Sequence, residues 1–254
     1  MQVSLITCTN NSEKTIKDCC QSISFQTYDN IEHIIIDKSS QDRTIPIIQE
    51  NKKKKIKIFQ QKTSGIYGAL NEAMKISNGS IIGILHSDDE FINKDVVKIV
   101  AEKFIDEKID VLFSNIYYTK KNDTNEILRK WVSNLNEGIQ SNNNLDKLLN
   151  NGWMPPHTSL FFKKNLLNEI GYYDESFKIS SDYDFILRLF RKEKIKIFFL
   201  NKFTIKMRSG GISNKNIKNI LIKMNEDLKI IKKLNSNPIK TILIKNLSKI
   251  KQFF

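Results

Sequence analysis

Two adjacent carboxylates, Asp88 and Asp89, follow His86 and Ser87 at the end of the apolar run Ser80-Ile81-Ile82-Gly83-Ile84-Leu85. Like charges at that spacing repel, and at the end of a buried strand they cost stability unless a cation stands beside them. A hard divalent ion holding a diphosphate would serve, because Mg2+ and Mn2+ take oxygen ligands and commonly bind through one or two carboxylates plus substrate phosphates. A solvated acidic turn ahead of a helix near Asn93 would serve equally, since aspartate is a frequent turn and cap residue. Four further residues bear on the choice. Thr9 and Asp37 close two other apolar runs, and Asp182 and Asp184 open a helical pattern.

These residues need elements to position them. Strands are expected at Val3 to Cys8, Glu32 to Asp37, Lys55 to Phe59 and Ser80 to His86. Between them, helices are expected at Thr15 to Ile23 after a cap at Asn10 to Glu13, near Asp42 to Asn51, at Gly65 to Ser77, and at Lys94 to Ile105. Strands that alternate with helices, in near-continuous Ile/Val/Leu runs, imply a parallel sheet covered on both faces. Ligands of such sheets bind beyond the carboxyl ends of the strands, where Thr9, Asp37 and Asp88 all fall. The second half is less regular. Strands are expected at Asp110 to Tyr118, Glu126 to Val132 and Ile195 to Leu200, and a helix at Asp182 to Lys192. Arg208-Ser209-Gly210-Gly211-Ile212-Ser213 reads as a mobile loop.

Composition narrows the class. With 254 residues, 40% of them hydrophobic and 15 Phe, the chain can bury a sizeable core. Its three cysteines, Cys8, Cys19 and Cys20, lack metal-site spacing and are expected as reduced thiols in a cytoplasmic protein. No run is long enough to cross a bilayer, and the first residues lack the basic region of a secretory signal. The net charge of +13 favours polyanions such as anionic headgroups or phosphorylated substrates. Nucleic acid is disfavoured, because no zinc pattern, RNP-like aromatic motif or helix-turn-helix stands out.

Four segments in order resemble the inverting, nucleotide-sugar-dependent glycosyltransferases of family 2, which have the GT-A fold. Val3 to Asn10 resembles the family's first strand and turn, and Asp37-Lys38-Ser39-Ser40-Gln41-Asp42-Arg43-Thr44 its Asp-Gly-Ser-x-Asp-x-Thr segment. His86-Ser87-Asp88-Asp89 resembles its Asp-x-Asp-Asp, with His86 where the family usually has aspartate. Gly171-Tyr172-Tyr173-Asp174-Glu175 and Ser181-Asp182-Tyr183-Asp184 resemble its acceptor-half segments, with Ser181 in place of the usual glutamate. The set looks closest to small bacterial colanic-acid- or capsule-type transferases.

The resemblance implies an α/β GT-A fold with a mostly parallel central sheet flanked by helices. Residues 1–118 would be the nucleotide-sugar-binding half and 119–213 the acceptor half of one domain, followed by a basic helical tail over 214–254. The implied activity is metal-dependent, inverting transfer of one hexose or N-acetylhexosamine. The donor would be a nucleotide sugar, with a UDP-sugar favoured, and the acceptor a saccharide or lipid-diphosphate-linked molecule of surface polysaccharide synthesis. Thr9 and Asp37 would hold the base and ribose, and Asp88 would ligate Mn2+ or Mg2+, which offsets charge on the leaving diphosphate. His86 would touch the ribose or the ion, or be a satisfied buried histidine. Asp182 would take the acceptor proton, with Asp184 as a rival base, and Asp89 would be a second ligand, an acceptor contact or a brace. Gly65 would allow close backbone approach to a phosphate, and Arg208 would close over the diphosphate. Trp153 and His157 would line the acceptor pocket, although tryptophan is more often a packing wedge. In the tail, apolar residues from Ile239 to Phe254 recur at helical spacing among lysines. Such a helix suits the anionic inner face of the cytoplasmic membrane, or it packs on the domain or a second copy in a homodimer. Two other classes remain open on these residues: a non-catalytic basic binding module on a GT-A-like scaffold, and a nucleotidyltransferase.

Overall fold

The computed structural model describes residues 1–51, 55–210 and 217–233. Its first strands are the apolar runs themselves. β1 (Val3–Thr9) and β2 (Ile31–Asp37) are buried along their whole length, as strands covered on both faces must be. α1 (Ile16–Ser24) buries Ile16, Cys19, Cys20 and Ile23 along one stripe. α2 (Thr44–Glu50), β3 (Lys55–Gln60), α3 (Gly65–Ile76), β4 (Ile81–Ile84), β5 (Asp89–Phe91) and α4 (Val96–Asp106) follow. The later elements are β6 (Val111–Thr119), β7 (Ile127–Trp131), β8 (Gly138–Gln140), α5 (Asn142–Asn150), β9 (Phe161–Lys163), α6 (Leu167–Ile170), α7 (Ser181–Phe190), β10 (Ile197–Arg208) and α8 (Ile217–Lys233).

Among the described residues the strands form one sheet in the order β3-β2-β1-β4-β9-β6-β10-β5, with β7 on β6 and β8 on β10. β1 pairs parallel with β2 and β4, β2 parallel with β3, and β10 parallel with β6. β9 is antiparallel to both β4 and β6, so those two run the same way. Six strands therefore share one direction, and the four that oppose it (β5, β7, β8, β9) are only three to five residues long. The carboxyl ends of β1, β2, β4, β6 and β10 all open on the same edge.

The pleat sends alternate residues to two cores. Ile6 and Cys8 of β1 join one cluster with α3 and α7, while Val3 and Leu5 join the other with α1 and α4. The three cysteines are buried and unbridged. Burial pushes the Cys8 and Cys20 thiols up to about 12, so they pack as small apolar groups.

Several expectations are corrected here. β4 stops at Ile84 and leaves His86 in a turn, while Asp89 begins β5, which pairs antiparallel with β10. β10 continues to Arg208, so that residue closes a central strand and does not begin a loop. Asn10 to Glu13 does not cap α1. Glu13 instead accepts from the Arg43 amide while its own amide donates to Asp42, cross-bracing two loops. No helix among the described residues is long and apolar enough to cross a membrane. The tail from Ile239 to Phe254 and the loop residues Gly211 to Ser213 lie outside the described residues.

Candidate active site

β1 and β2 run in register, which sets Thr9 beside Asp37. Thr9 Oγ1 donates to Asp37 Oδ1 at 2.7 Å, and the Ser40 amide donates to Oδ2 at 2.8 Å. The Ser40 hydroxyl adds a third bond, to Oδ1, at 2.6 Å. Asp37 is thus fixed by Thr9 and its own turn, and Oδ2, which accepts one bond against two at Oδ1, keeps a lone pair for a ligand. Asp42 accepts from the Thr44 amide at the start of α2, which leaves capping there to Asp42.

Beyond β4, the turn at His86 to Asp88 reaches two other parts of the edge. Ser87 Oγ meets Ser12 Oγ of the β1 loop at 3.0 Å. His86 Nε2 meets His157 Nε2 at 3.0 Å, and His157 Nδ1 faces Asp182 Oδ2 at 3.6 Å. Burial and the neighbouring His157 push His86 down to about 4 against the opposing pull of Asp88 and Asp182, so His86 is neutral at pH 7. Asp88 and Asp182, distant in the chain, both act on this one imidazole. Asp182 Oδ1 accepts from the Tyr183 amide at 2.9 Å and from the Tyr67 hydroxyl at 3.3 Å. Tyr67 also donates to the Ile179 carbonyl at 2.6 Å, and Asn71, one turn further along α3, ties the same helix to Tyr173 and Glu175.

The two carboxylates of the opening motif divide their roles. Asp88 is partly exposed, and among the described residues its carboxylate has no hydrogen-bond or ion-pair partner. Asp89 is 1% exposed, accepts from the Arg208 amide at 3.3 Å, and leaves Oδ2 without a partner. Burial and the Asp88 charge push the Asp89 carboxyl above the usual carboxylate range, and its bond to the Arg208 amide makes it a brace between the Asp88 turn and β10. Arg208 is equally committed. Its guanidinium donates to the Asp88 carbonyl at 2.8 Å and to Asp18 Oδ2 at 2.5 Å, so it anchors the Asp88 turn and does not swing over a ligand.

Other expected residues fall elsewhere. Asp184 is buried and paired with Arg188 at 2.7 Å. That arginine also holds the Ile170 and Tyr172 carbonyls, so Asp184 braces the fold and is no rival base. Trp153 packs edge-on against Phe113, with ring centroids 5.8 Å apart, and is a core wedge. Gly65 takes φ +75° at the start of α3, with open space where a side chain would stand. Of the two glycines in α3 the crowded one is Gly68, where a Cβ would lie 2.5 Å from Thr63 Oγ1. Tyr67 was not singled out in the sequence, yet its hydroxyl reaches Asp182.

Among the described residues no group of three His, Cys, Asp or Glu side chains is arranged to hold a metal. His86 Nε2 is occupied by His157, which leaves Asp88 as the free protein ligand. The residues therefore do not fit a resident ion. They do fit one carried in on diphosphate oxygens and water, for which one or two carboxylates suffice.

A sequence profile described as "Glycosyl transferase family 2" matches residues 4–171. This chain belongs to glycosyltransferase family 2. The match ends before α7, so Asp182 and Arg208 lie beyond it. Chondroitin synthase of Escherichia coli is 29% identical over 224 residues, which cover 87% of this chain and 31% of that protein. The chain thus spans about a third of that family 2 relative's length. Among solved structures, S. aureus TarS superposes with a TM-score of 0.72 at 22% identity, covering 93% of this chain and 40% of that one. A TarS 1–349 structure in complex with UDP-GlcNAc gives 0.69 at 21%, covering 96% and 70%. The mannosyltransferase PcManGT from Pyrobaculum calidifontis, in complex with GDP-Man and Mn2+, gives 0.64 at 14%, covering 96% and 68%. These likenesses share the GT-A fold with the family 2 chain described here.

Proposed function

We propose that this glycosyltransferase is metal-dependent and inverting, and that it moves one sugar from a UDP-sugar to a saccharide or lipid-linked acceptor in surface polysaccharide synthesis. The observation that carries the reading is the convergence at one sheet edge of Thr9 and Asp37, the free carboxylate of Asp88, and Asp182 in its contacts with His157 and Tyr67. The nucleotide complexes of TarS and PcManGT support a nucleotide-sugar donor.

In this reading Thr9 and Asp37 take the base and ribose. Asp88 would hold Mn2+ or Mg2+, which when bound supplies charge neutralisation for the leaving diphosphate. The acceptor hydroxyl oxygen attacks the anomeric carbon from the face opposite the diphosphate. The bond to the diphosphate oxygen breaks, the configuration inverts, and the hydroxyl proton passes to Asp182. Oδ1 of Asp182 is already occupied by Tyr183 and Tyr67. Oδ2, 3.6 Å from His157 Nδ1, is the oxygen left to receive the proton. The net charge of +13 further supports attachment at an anionic membrane surface on the cytoplasmic side.

The test is a mass-spectrometric donor screen with Mn2+, followed by kinetics of Asp88→Asn and Asp182→Asn. Asp88→Asn is expected to remove the Mn2+ response, and Asp182→Asn to lower kcat about 10²- to 10⁴-fold with UDP affinity unchanged. Failure of any nucleotide sugar to bind, with or without Mn2+, overturns the reading.

A further inference from the structure

Helix α8 contributes to no motif, yet it reaches the segment that carries Asp182. Glu226 is buried, and its carboxylate accepts from three successive backbone amides. Lys178 N–H donates to Oε1 at 2.8 Å, and Ile179 and Ser180 N–H donate to Oε2 at 2.9 Å each. Consecutive amides aimed at one point form an anion-binding nest, and this one lies where the α7 dipole also favours negative charge. A helix start leaves orphan N–H groups that a local serine normally satisfies. Here Ser180 occupies the cap position and makes no side-chain cap bond, and the Ser180 and Ser181 hydroxyls are buried without partners. Glu226, from another element, instead holds the three amides that lead into that cap position. Among the described residues it has no ion-pair partner, since the nearby Lys223 is engaged by Asp227 at 2.7 Å.

The same segment is gripped from the other side. Tyr67 donates to the Ile179 carbonyl and to Asp182, so peptide units 178–180 are held between α3 and α8, two residues before the carboxylate. Behind Glu226, Ile230 and Ile231 bury fully in the core that α7 shares. That packing makes the α8 side of the grip rigid.

We propose that Glu226 is a positioning residue for the transfer reaction: α8 sets the direction of Asp182 by holding the backbone at Lys178, Ile179 and Ser180. This rests on the reading of Asp182 as the base. An exposed cap would add stability alone. A buried clamp next to a reacting group also sets its aim, and a displacement of about 1 Å in such a group can cost on the order of 100-fold in rate.

The experiment uses the full chain with Glu226→Gln, Glu226→Asp and Asp182→Asn. It reads UDP affinity with Mn2+ by calorimetry, hydrolysis of each UDP-sugar in the donor screen, and backbone hydrogen exchange over residues 176–184. In Glu226→Gln, one of the carboxylate's oxygens becomes an amide that cannot accept from the nest. The expected result is a kcat lower by about 10- to 100-fold, UDP affinity within about twofold, and faster exchange at residues 178–184. Glu226→Asp, whose shorter arm keeps the charge, is expected between wild type and Glu226→Gln, and it carries the test should the glutamine variant fail to fold. Wild-type turnover in both Glu226 variants, with Asp182→Asn inactive, overturns this proposal alone. Equal hydrolysis by wild type and Asp182→Asn, or none by wild type, overturns the base reading and the role of Glu226 with it. Unchanged exchange over 178–184 shows that the nest is not held by Glu226 and overturns the proposal on structure.

Discussion

Glu32→Gln should weaken the fold at neutral pH and flatten its acid response. Glu32 is buried in β2, 1% exposed, and sits where β1, β2 and the turn before β4 meet. Burial alone would raise its pKa, but bonds from Lys57, the Ser4 hydroxyl and the Asn78 and Gly79 amides outweigh it and hold the carboxyl at about 2 against an ordinary 4.5. That gap of about 2.5 units, at 1.36 kcal/mol each, makes the ionised group worth on the order of 3 kcal/mol. The sign follows from proton binding. Below about pH 4.5 the unfolded chain takes up a proton that the folded chain refuses, so this stability is complete above 4.5 and is lost as pH falls to about 2. Glutamine removes the charge, and its NH2 group can replace only one oxygen: at Oε2 it meets Lys57 and the Asn78 side-chain amide as like donors, and at Oε1 it would meet the Ser4 hydroxyl and the Asn78 and Gly79 amides. Urea unfolding at neutral pH should show a loss of about 3 kcal/mol, or a melting point lower by roughly 6 to 12 °C for a chain of this size. Repeated down to about pH 3, the wild-type curve should approach that of the variant. A variant within about 0.5 kcal/mol of wild type at neutral pH, or parallel pH curves, would refute the assignment of this charge as a structural anchor.

Two other substitutions probe the site. Tyr67→Phe keeps the ring contact with Tyr173 but removes the hydroxyl shared by Ile179 and Asp182; kcat should fall about tenfold with UDP affinity unchanged, as steady-state kinetics would show. Arg208→Ala frees the Asp88 turn and leaves Asp18, which is partly exposed, to water. A stability loss of about 1 to 3 kcal/mol and about tenfold weaker Mn2+-dependent UDP binding are expected, with Arg208→Lys restoring little because it cannot fork between Asp18 and the Asp88 carbonyl.

Much of the first half of the chain was legible because buried parallel strands leave a local record. β1 and β2 are unbroken apolar runs, and Cys19, Cys20 and Ile23 mark the buried stripe of α1. What was not legible depends on partners far away in the chain. β5 and β9 are three residues each and exist because β10, β4 and β6 offer them edges, which no local pattern announces. The reach of β10 to Arg208 is likewise set by pairing with Thr119. In the site, Asp182, His157 and His86 are brought together, whereas Trp153 and Asp184 turn out to serve packing and bracing. Residue type could not separate these cases, because tryptophan beside prolines and aspartate at a helix start suit either use. Tyr67 resembles any half-buried position of an amphipathic helix, and Glu226 any charge on a lysine-rich one. Their meaning lies in which backbone they meet.

The place of β9 carries a consequence for how the molecule comes into being. A strand encoded by Phe161–Lys163 forms the seam between β4 and β6, whose own residues leave the ribosome much earlier. Until that seam arrives, β4 and β6 each wait with a bare polar edge, a state prone to mispairing and to capture by chaperones. Completion of the sheet is therefore a late event of synthesis, and mutations that weaken Phe161 or Phe162 should lower the yield of soluble protein before they touch catalysis.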